Sequence, residues 1–232
     1  MREMELDARL LAAAGFVRQG ACFADIGTDH ARLPLFLLAR GKIPFAYASD
    51  VAKGPLATAE AAIAEAGEGD RCKTVLCDGA AALAGLGITD YAICGMGGEL
   101  IARIIKDAGQ LADPSVRLTL QPMTRAAHLR RFLSENGFSV LGERFVIAAK
   151  RPYVCISAEY TGRFFEISAL EAEIGAYPDG SPAFLAYARA RVAALRKETL
   201  GAMHRGEASE AGRIADEIAG VLKQFETRSE MG

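Results

Sequence analysis

Three aspartates, Asp25, Asp50 and Asp78, each close a short apolar run, and a fourth such run ends in Cys94-Gly95-Met96-Gly97-Gly98. Taken singly, an aspartate in that position is an ordinary helix cap or turn opener. A row of them has a different chemistry. It repels a pyrophosphate and suits a ligand that carries cations and ribose hydroxyls. The first of these sites, Ala24-Asp25-Ile26-Gly27-Thr28-Asp29-His30, starts like a dinucleotide-binding turn, but Asp29 and Arg32 occupy the positions where that fingerprint needs glycine. An NAD-type cofactor is therefore disfavoured. S-adenosylmethionine, with its ammonium, sulfonium and ribose, fits the row. Gly27 lets the backbone approach its methionine part, Asp25 or Asp29 takes the ammonium, Asp50 accepts from both ribose hydroxyls, and Asp78 beside Gly79 accepts from the adenine amino group. Gly95 borders the same ligand.

These residues act together only if their runs end along one edge. The apolar runs at 21–26, 45–49, 74–77, 91–94 and 116–120 read as strands, and helical stretches at 31–40, 55–66, 98–107 and 125–135 alternate with them. Pro55 suits a first helical position, and Gly137 closes the last helix. Such alternation predicts a parallel sheet covered by helices, which binds ligands outside the carboxyl ends of its strands. Two more β-like runs, 139–149 and 153–160, are separated by Lys150, Arg151 and Pro152 alone. That link is too short for a crossover, so the pair is predicted antiparallel. Beyond Thr161 the turn-rich Tyr177–Pro182 stretch precedes two amphipathic helices, 183–200 and 207–226, which read as an antiparallel hairpin. The predicted fold is α/β: a Rossmann-like class I S-adenosylmethionine-dependent methyltransferase domain over residues 1–160, and a C-terminal α-helical, antiparallel coiled-coil domain over 161–232.

Composition bounds the partners. With 27 basic and 29 acidic residues the chain is near neutral, so any polyanion must be met by a local patch. Arg125, Arg130, Arg131, Arg144, Lys150 and Arg151 face only Glu135 and Glu143 in their segment, and Arg189, Arg191, Arg196, Lys197 and Arg205 face only Glu198 in theirs. These runs are the expected phosphate contacts, although a basic run is also an ordinary solvated helix face. No aromatic platform interleaves them, which favours folded RNA over a single strand. Five scattered cysteines without a Cys-x-x-Cys pair predict reduced thiols in a cytoplasm and no metal site. No apolar run approaches the length of a membrane span.

The stretches Ala24–Pro34, Asp50–Ala59, Cys77–Leu83, Ile93–Ile105 and Leu120–Phe138 resemble the TrmK-type bacterial tRNA (adenine-N1)-methyltransferases, over nearly the whole chain. The resemblance implies methyl transfer from S-adenosylmethionine to adenine 22 of tRNA, with a helical domain following the catalytic one. One departure is Met123, where the family pattern carries Asn after Gln-Pro. The residues suit such an acceptor. Gly95 and Met96 allow a flat ring to approach the backbone closely, and Asp29 and His30 are placed to orient its amino group. Adenine N1 has an in-plane lone pair and no proton to lose, so catalysis needs alignment more than a base. Cys94 reads as a buried strand residue, not a nucleophile. Two other readings share the rim: a small-molecule methyltransferase, which has no need of the basic hairpin, and a non-catalytic nucleotide-binding module.

Overall fold

The computed structural model describes residues 5–205 and 208–230. Helix α1 (Ala8–Phe16) is capped by Asp7, whose carboxylate accepts from the backbone N–H groups of Arg9 and Leu10. The alternation follows: β1 (Cys22–Ile26), α2 (Arg32–Ala39), β2 (Phe45–Asp50), α3 (Lys53–Glu65), β3 (Cys72–Leu76), β4 (Asp90–Gly97), α4 (Gly98–Asp107), β5 (Arg117–Thr124) and α5 (Ala126–Glu135). After these come β6 (Phe138–Ala148), β7 (Arg151–Tyr160), α6 (Ala169–Ile174), α7 (Pro182–His204) and α8 (Ala211–Glu230).

One seven-stranded sheet has the order β3-β2-β1-β4-β5-β7-β6. The first five strands pair in parallel, and β7 runs antiparallel to both β5 and β6. The chain moves outward from β1 to β3 and then crosses back to β4, so the switch point lies between β1 and β4. That is where an open sheet of this kind forms its crevice. Neighbouring strand residues enter different hydrophobic clusters, as Phe23 and Ala24 do and Ala92 and Ile93 do, so each face of the sheet has its own core. Burial on both faces explains why these strands read as continuous apolar runs.

Several local expectations need correction. The hairpin turn is Ala149-Lys150, both left-handed at φ 46° and 62°, while Arg151 and Pro152 already belong to β7. This is the mirror-image two-residue turn that matches strand twist. Helix α3 begins at Lys53, which puts Pro55 inside its first turn. Strand β4 continues through Gly97 and β5 through Thr124, with irregular pairing around Met96. Helix α6 was not anticipated, and the expected start of the last helix at Glu207 lies outside the described residues. The hairpin of α7 and α8 shares a hydrophobic cluster with the sheet: Phe184 meets Phe145 at 5.1 Å and Phe225 at 5.6 Å between ring centres, and Tyr187 meets Phe145 at 5.2 Å. Among the described residues no helix is long and apolar enough to cross a membrane, and all five cysteines are free.

Candidate active site and its groove

At the end of β1 the chain turns on Gly27, at φ 72°, and the N–H groups of Gly27 and Thr28 both donate to the Ser49 carbonyl at 2.8 Å. That clamp ties the first turn to β2 and brings Asp25 and Asp50 near one another. Asp25 is buried and accepts from the Thr28 hydroxyl at 2.8 Å. Burial, with a smaller push from the Asp50 charge, raises its carboxyl to about 7, against the Thr28 hydrogen bond. No ion pair among the described residues engages it. Asp50 accepts from the Ala52 N–H at 2.7 Å with one oxygen. Asp78 is exposed after β3, beside Gly79 at φ 65°.

Asp29 is exposed, with its carboxylate 3.2 Å from Nε2 of His30. His30 and the following Ala31 both have positive φ, 59° and 49°. Two left-handed non-glycine residues in succession cost on the order of 1–3 kcal/mol each, and such conformations cluster at functional sites. The sequence signals this strain only weakly, through histidine's modest tolerance of the left-handed region, and it delays the start of α2 until Arg32.

The glycine-rich end of β4 lies across the crevice from this turn. Met96 leans over Gly27 so closely that a Cβ on Gly27 would collide with the Met96 methyl group. Gly95, at φ 77°, donates its N–H to Gln121 Oε1 at 3.3 Å, and a Cβ on Gly98 would collide with the Arg125 carbonyl oxygen. The glycines thus let β4, β5 and the start of α5 approach closely. Burial pushes the Cys94 thiol well above its ordinary value, which makes it a poor nucleophile.

Beyond this edge the structure gathers residues that sequence reasoning missed. Arg9 donates through Nη1 to Met123 Sδ at 2.8 Å and through Nη2 to Asp7 at 2.7 Å, and its guanidinium carbon lies 5.4 Å from the centre of the Tyr153 ring. The only hint was a lone arginine at the head of an amphipathic helix. Met123 and Tyr153 also line a groove of about 1180 Å³ that runs from the end of β5 to the α7 and α8 hairpin.

Of the basic residues expected to meet RNA, Arg125, Arg131, Arg151 and Arg191 line this groove, together with Glu99, Glu173, Glu198 and Glu210, and Arg125 lies 3.7 Å from Glu99. Arg191 is also held by Glu173 at 2.7 Å. Arg189 and Arg196 pair across the hairpin with Glu226 and Asp216, while Lys197 is exposed on α7 and Lys150 sits at the β6–β7 turn. Arg130 must be withdrawn as a phosphate contact. It is buried, bonded to Glu143 at 2.7 Å, and donates to the carbonyl of Ala172. On a helix its side chain points about 100° away from that of Arg131, so one neighbour enters the core and the other faces the groove.

Over residues 6–156 the chain matches the family described as Methyltransferase domain. A tRNA (adenine(22)-N(1))-methyltransferase of Bacillus subtilis strain 168 is 30% identical over 159 residues, 68% of this chain and 67% of that protein. Among solved structures, a candidate tRNA (m1A22) methyltransferase of Streptococcus pneumoniae in complex with S-adenosyl-L-methionine aligns with a TM-score of 0.80 at 30% identity, covering 95% of this chain and 99% of that one. A protein of the NADB-Rossmann superfamily from Streptococcus agalactiae aligns with a TM-score of 0.82 at 28% identity, over 97% and 98% of the two chains.

Proposed function

We infer the reaction from kinship: this chain belongs to the TrmK-type family of bacterial tRNA (adenine-N1)-methyltransferases, within the wider methyltransferase-domain family. It is an S-adenosylmethionine-dependent enzyme that methylates N1 of the adenine at position 22 of tRNA. The observation that carries the reading in this molecule is the rim itself. A buried carboxylate without a cationic partner, a left-handed glycine turn and a second carboxylate stand at adjoining strand ends.

The residues present fit that cofactor. Asp25 is the carboxylate left for its ammonium, because the exposed Asp29 is already beside His30. Asp50 has an oxygen to spare for the ribose hydroxyls, and Asp78 with Gly79 borders the adenine. When bound, the cofactor supplies an electrophilic methyl group on a sulfonium sulfur. The chain's own work is positional. Gly95 and Met96 bound the space in which the target ring lies, and Asp29 with His30 orients its amino group. Since N1 carries no proton, alignment does what a general base would do elsewhere. The positive charge that passes to the ring is met by the acidic rim.

The tRNA lies along the groove, with Arg125, Arg131, Arg151 and Arg191 toward its phosphates. The size of the cleft, about 1180 Å³, supports the macromolecular reading over a small-molecule methyltransferase, although its four arginines alternate with Glu99, Glu173, Glu198 and Glu210. On this reading residues 1–160 carry the cofactor, both they and the helical residues of 161–232 meet the RNA, and the work is done in the cytoplasm. The test is incubation with methyl-labelled S-adenosylmethionine and unmodified bacterial tRNAs, followed by digestion to nucleosides. Label in 1-methyladenosine is expected, and it should be lost when adenine 22 of the tRNA is replaced by another base. Label in no nucleoside, with a functional cofactor site, overturns the assignment.

A further inference from the structure

We propose that Met123, Tyr153 and Arg9 form the slot through which the target adenine passes from the groove to the cofactor rim, with Met123 and Tyr153 touching the ring and Arg9 holding both in position. The proposal rests on the tRNA reading above. Its ground is a convergence of three elements distant in sequence. Arg9 comes from α1, Met123 from the end of β5 and Tyr153 from β7, and a single guanidinium spans the two groups. Both Met123 and Tyr153 line the groove, and register pairs Pro122 with Met96, so Met123 adjoins the rim as well. The slot therefore stands where groove and rim meet.

The chemistry of the three side chains fits a heteroaromatic ring. A thioether and an aromatic face are polarisable surfaces that hold a base by stacking. A polar side chain following Gln121-Pro122 would read the hydrogen-bonding edge of the base, and a thioether does this poorly. In this chain the edge is therefore left to Asp29 and His30, and Met123 and Tyr153 bear on the ring faces. Arg9 suits such a site because Asp7 offsets its charge at 2.7 Å, so a ring that becomes cationic meets a neutral pair and not a bare cation. Helix capping alone does not account for Arg9. Asp7 caps α1 through backbone N–H groups, which are present whatever side chain stands at position 9. Arg9 is thus a positioning residue, acting through the two groups that touch the base.

The experiment uses full-length Arg9→Ala, Met123→Ala and the double variant, with steady-state methylation of unmodified tRNA and cofactor calorimetry on the same preparations. Each single variant is expected to lose at least fivefold in kcat at saturating tRNA, with cofactor Kd within twofold of the parent. The double variant should be little worse than the worse single one, because the side chains act as a unit. A merely structural role for Arg9 would instead lower cofactor affinity in parallel with turnover. That outcome, a loss under fivefold in either single variant, or losses that multiply in the double variant, overturns the proposal. Should Arg9→Ala fail to fold, Arg9→Lys keeps the charge beside Asp7 without the planar contact and must show the same loss. A parent protein inactive on every tRNA would refute the tRNA reading itself, a result distinct from all of these.

Discussion

Replacing Asp25 with Asn tests whether the rim holds a stored electrostatic cost that the cofactor relieves. The carboxyl sits buried beneath the Thr28 hydroxyl and is raised from 3.8 to about 7. Between those values the unfolded chain has lost its proton while the folded one retains it, so this group makes stability fall as pH rises from about 4 to about 7. Above 7 both states are ionised and the full cost persists. At 1.36 kcal/mol per pK unit the shift amounts to about 4 kcal/mol as an upper bound. Asn removes the charge and still offers the Thr28 hydroxyl a carbonyl acceptor. The variant should therefore be more stable than the parent at pH 8, by about 1–4 kcal/mol in urea unfolding, with the gap closing toward pH 4. Cofactor binding should show the complement. An ammonium held by Asp25 keeps the carboxylate ionised, so binding at pH 6.5 should release a proton from the parent and none from Asp25→Asn, measured by calorimetry in buffers of different ionisation enthalpy. Identical stability profiles for the two proteins across pH 4–8 would refute the reasoning.

Asp50→Ala should weaken cofactor binding by about 1.5–3 kcal/mol, because two hydroxyls lose a charged acceptor; unchanged affinity in a folded variant would count against the assigned pocket. Arg130→Met should destabilise the protein by about 3–5 kcal/mol, since it strands Glu143 uncompensated in the core. Its tRNA affinity at temperatures below melting should stay normal, and a selective loss of RNA binding would reverse that order. Replacing Arg125, Arg131 and Arg151 together with Ala should flatten the salt dependence of tRNA binding by about one unit of slope per lost phosphate contact while cofactor affinity holds. Equal slopes for parent and triple variant would place the RNA elsewhere.

The strand cores were legible because parallel strands buried on both faces need near-continuous apolar residues, and the runs at 21–26, 45–49 and 91–94 supply them. Their ends were not. Gly95-Met96-Gly97 and Pro122-Met123 do not look like strand, yet pairing of Met96 with Pro122 and Gly97 with Thr124 carries the ladder through them, a tertiary effect that local propensity does not contain. The strand-end position of Asp25, Asp50 and Asp78 could be read because each lies at or next to the end of an apolar run that forms a strand. The left-handed pair His30-Ala31 could not, since histidine merely visits that conformation more often than most residues and alanine rarely does. Arg130 misled because charge was counted along the segment; the helical period, with Leu129, Leu133 and Ser134 also buried, was the better guide. Arg9 escaped because its partners are 114 and 144 residues away, and only the folded chain brings them together.

The shared core beneath the helical hairpin has a mechanical consequence. Phe184 and Tyr187 of α7 interlock with Phe145 of β6, and Phe225 of α8 closes over Phe184. Arg191, one turn further along α7 and anchored to Glu173, therefore stands at a fixed span from the strand ends. The molecule behaves as a caliper set at manufacture, with one jaw the arginine-lined wall and the other the crevice between β1 and β4. A caliper selects by measure. If the groove arginines hold the RNA as proposed, an RNA whose bend brings one adenine to the right distance from its held phosphates fits whatever bases lie between, and one a nucleotide too long or too short does not. Loosening the hinge pin, as Phe145→Ala would do, should therefore blur which nucleotide is modified before it abolishes modification.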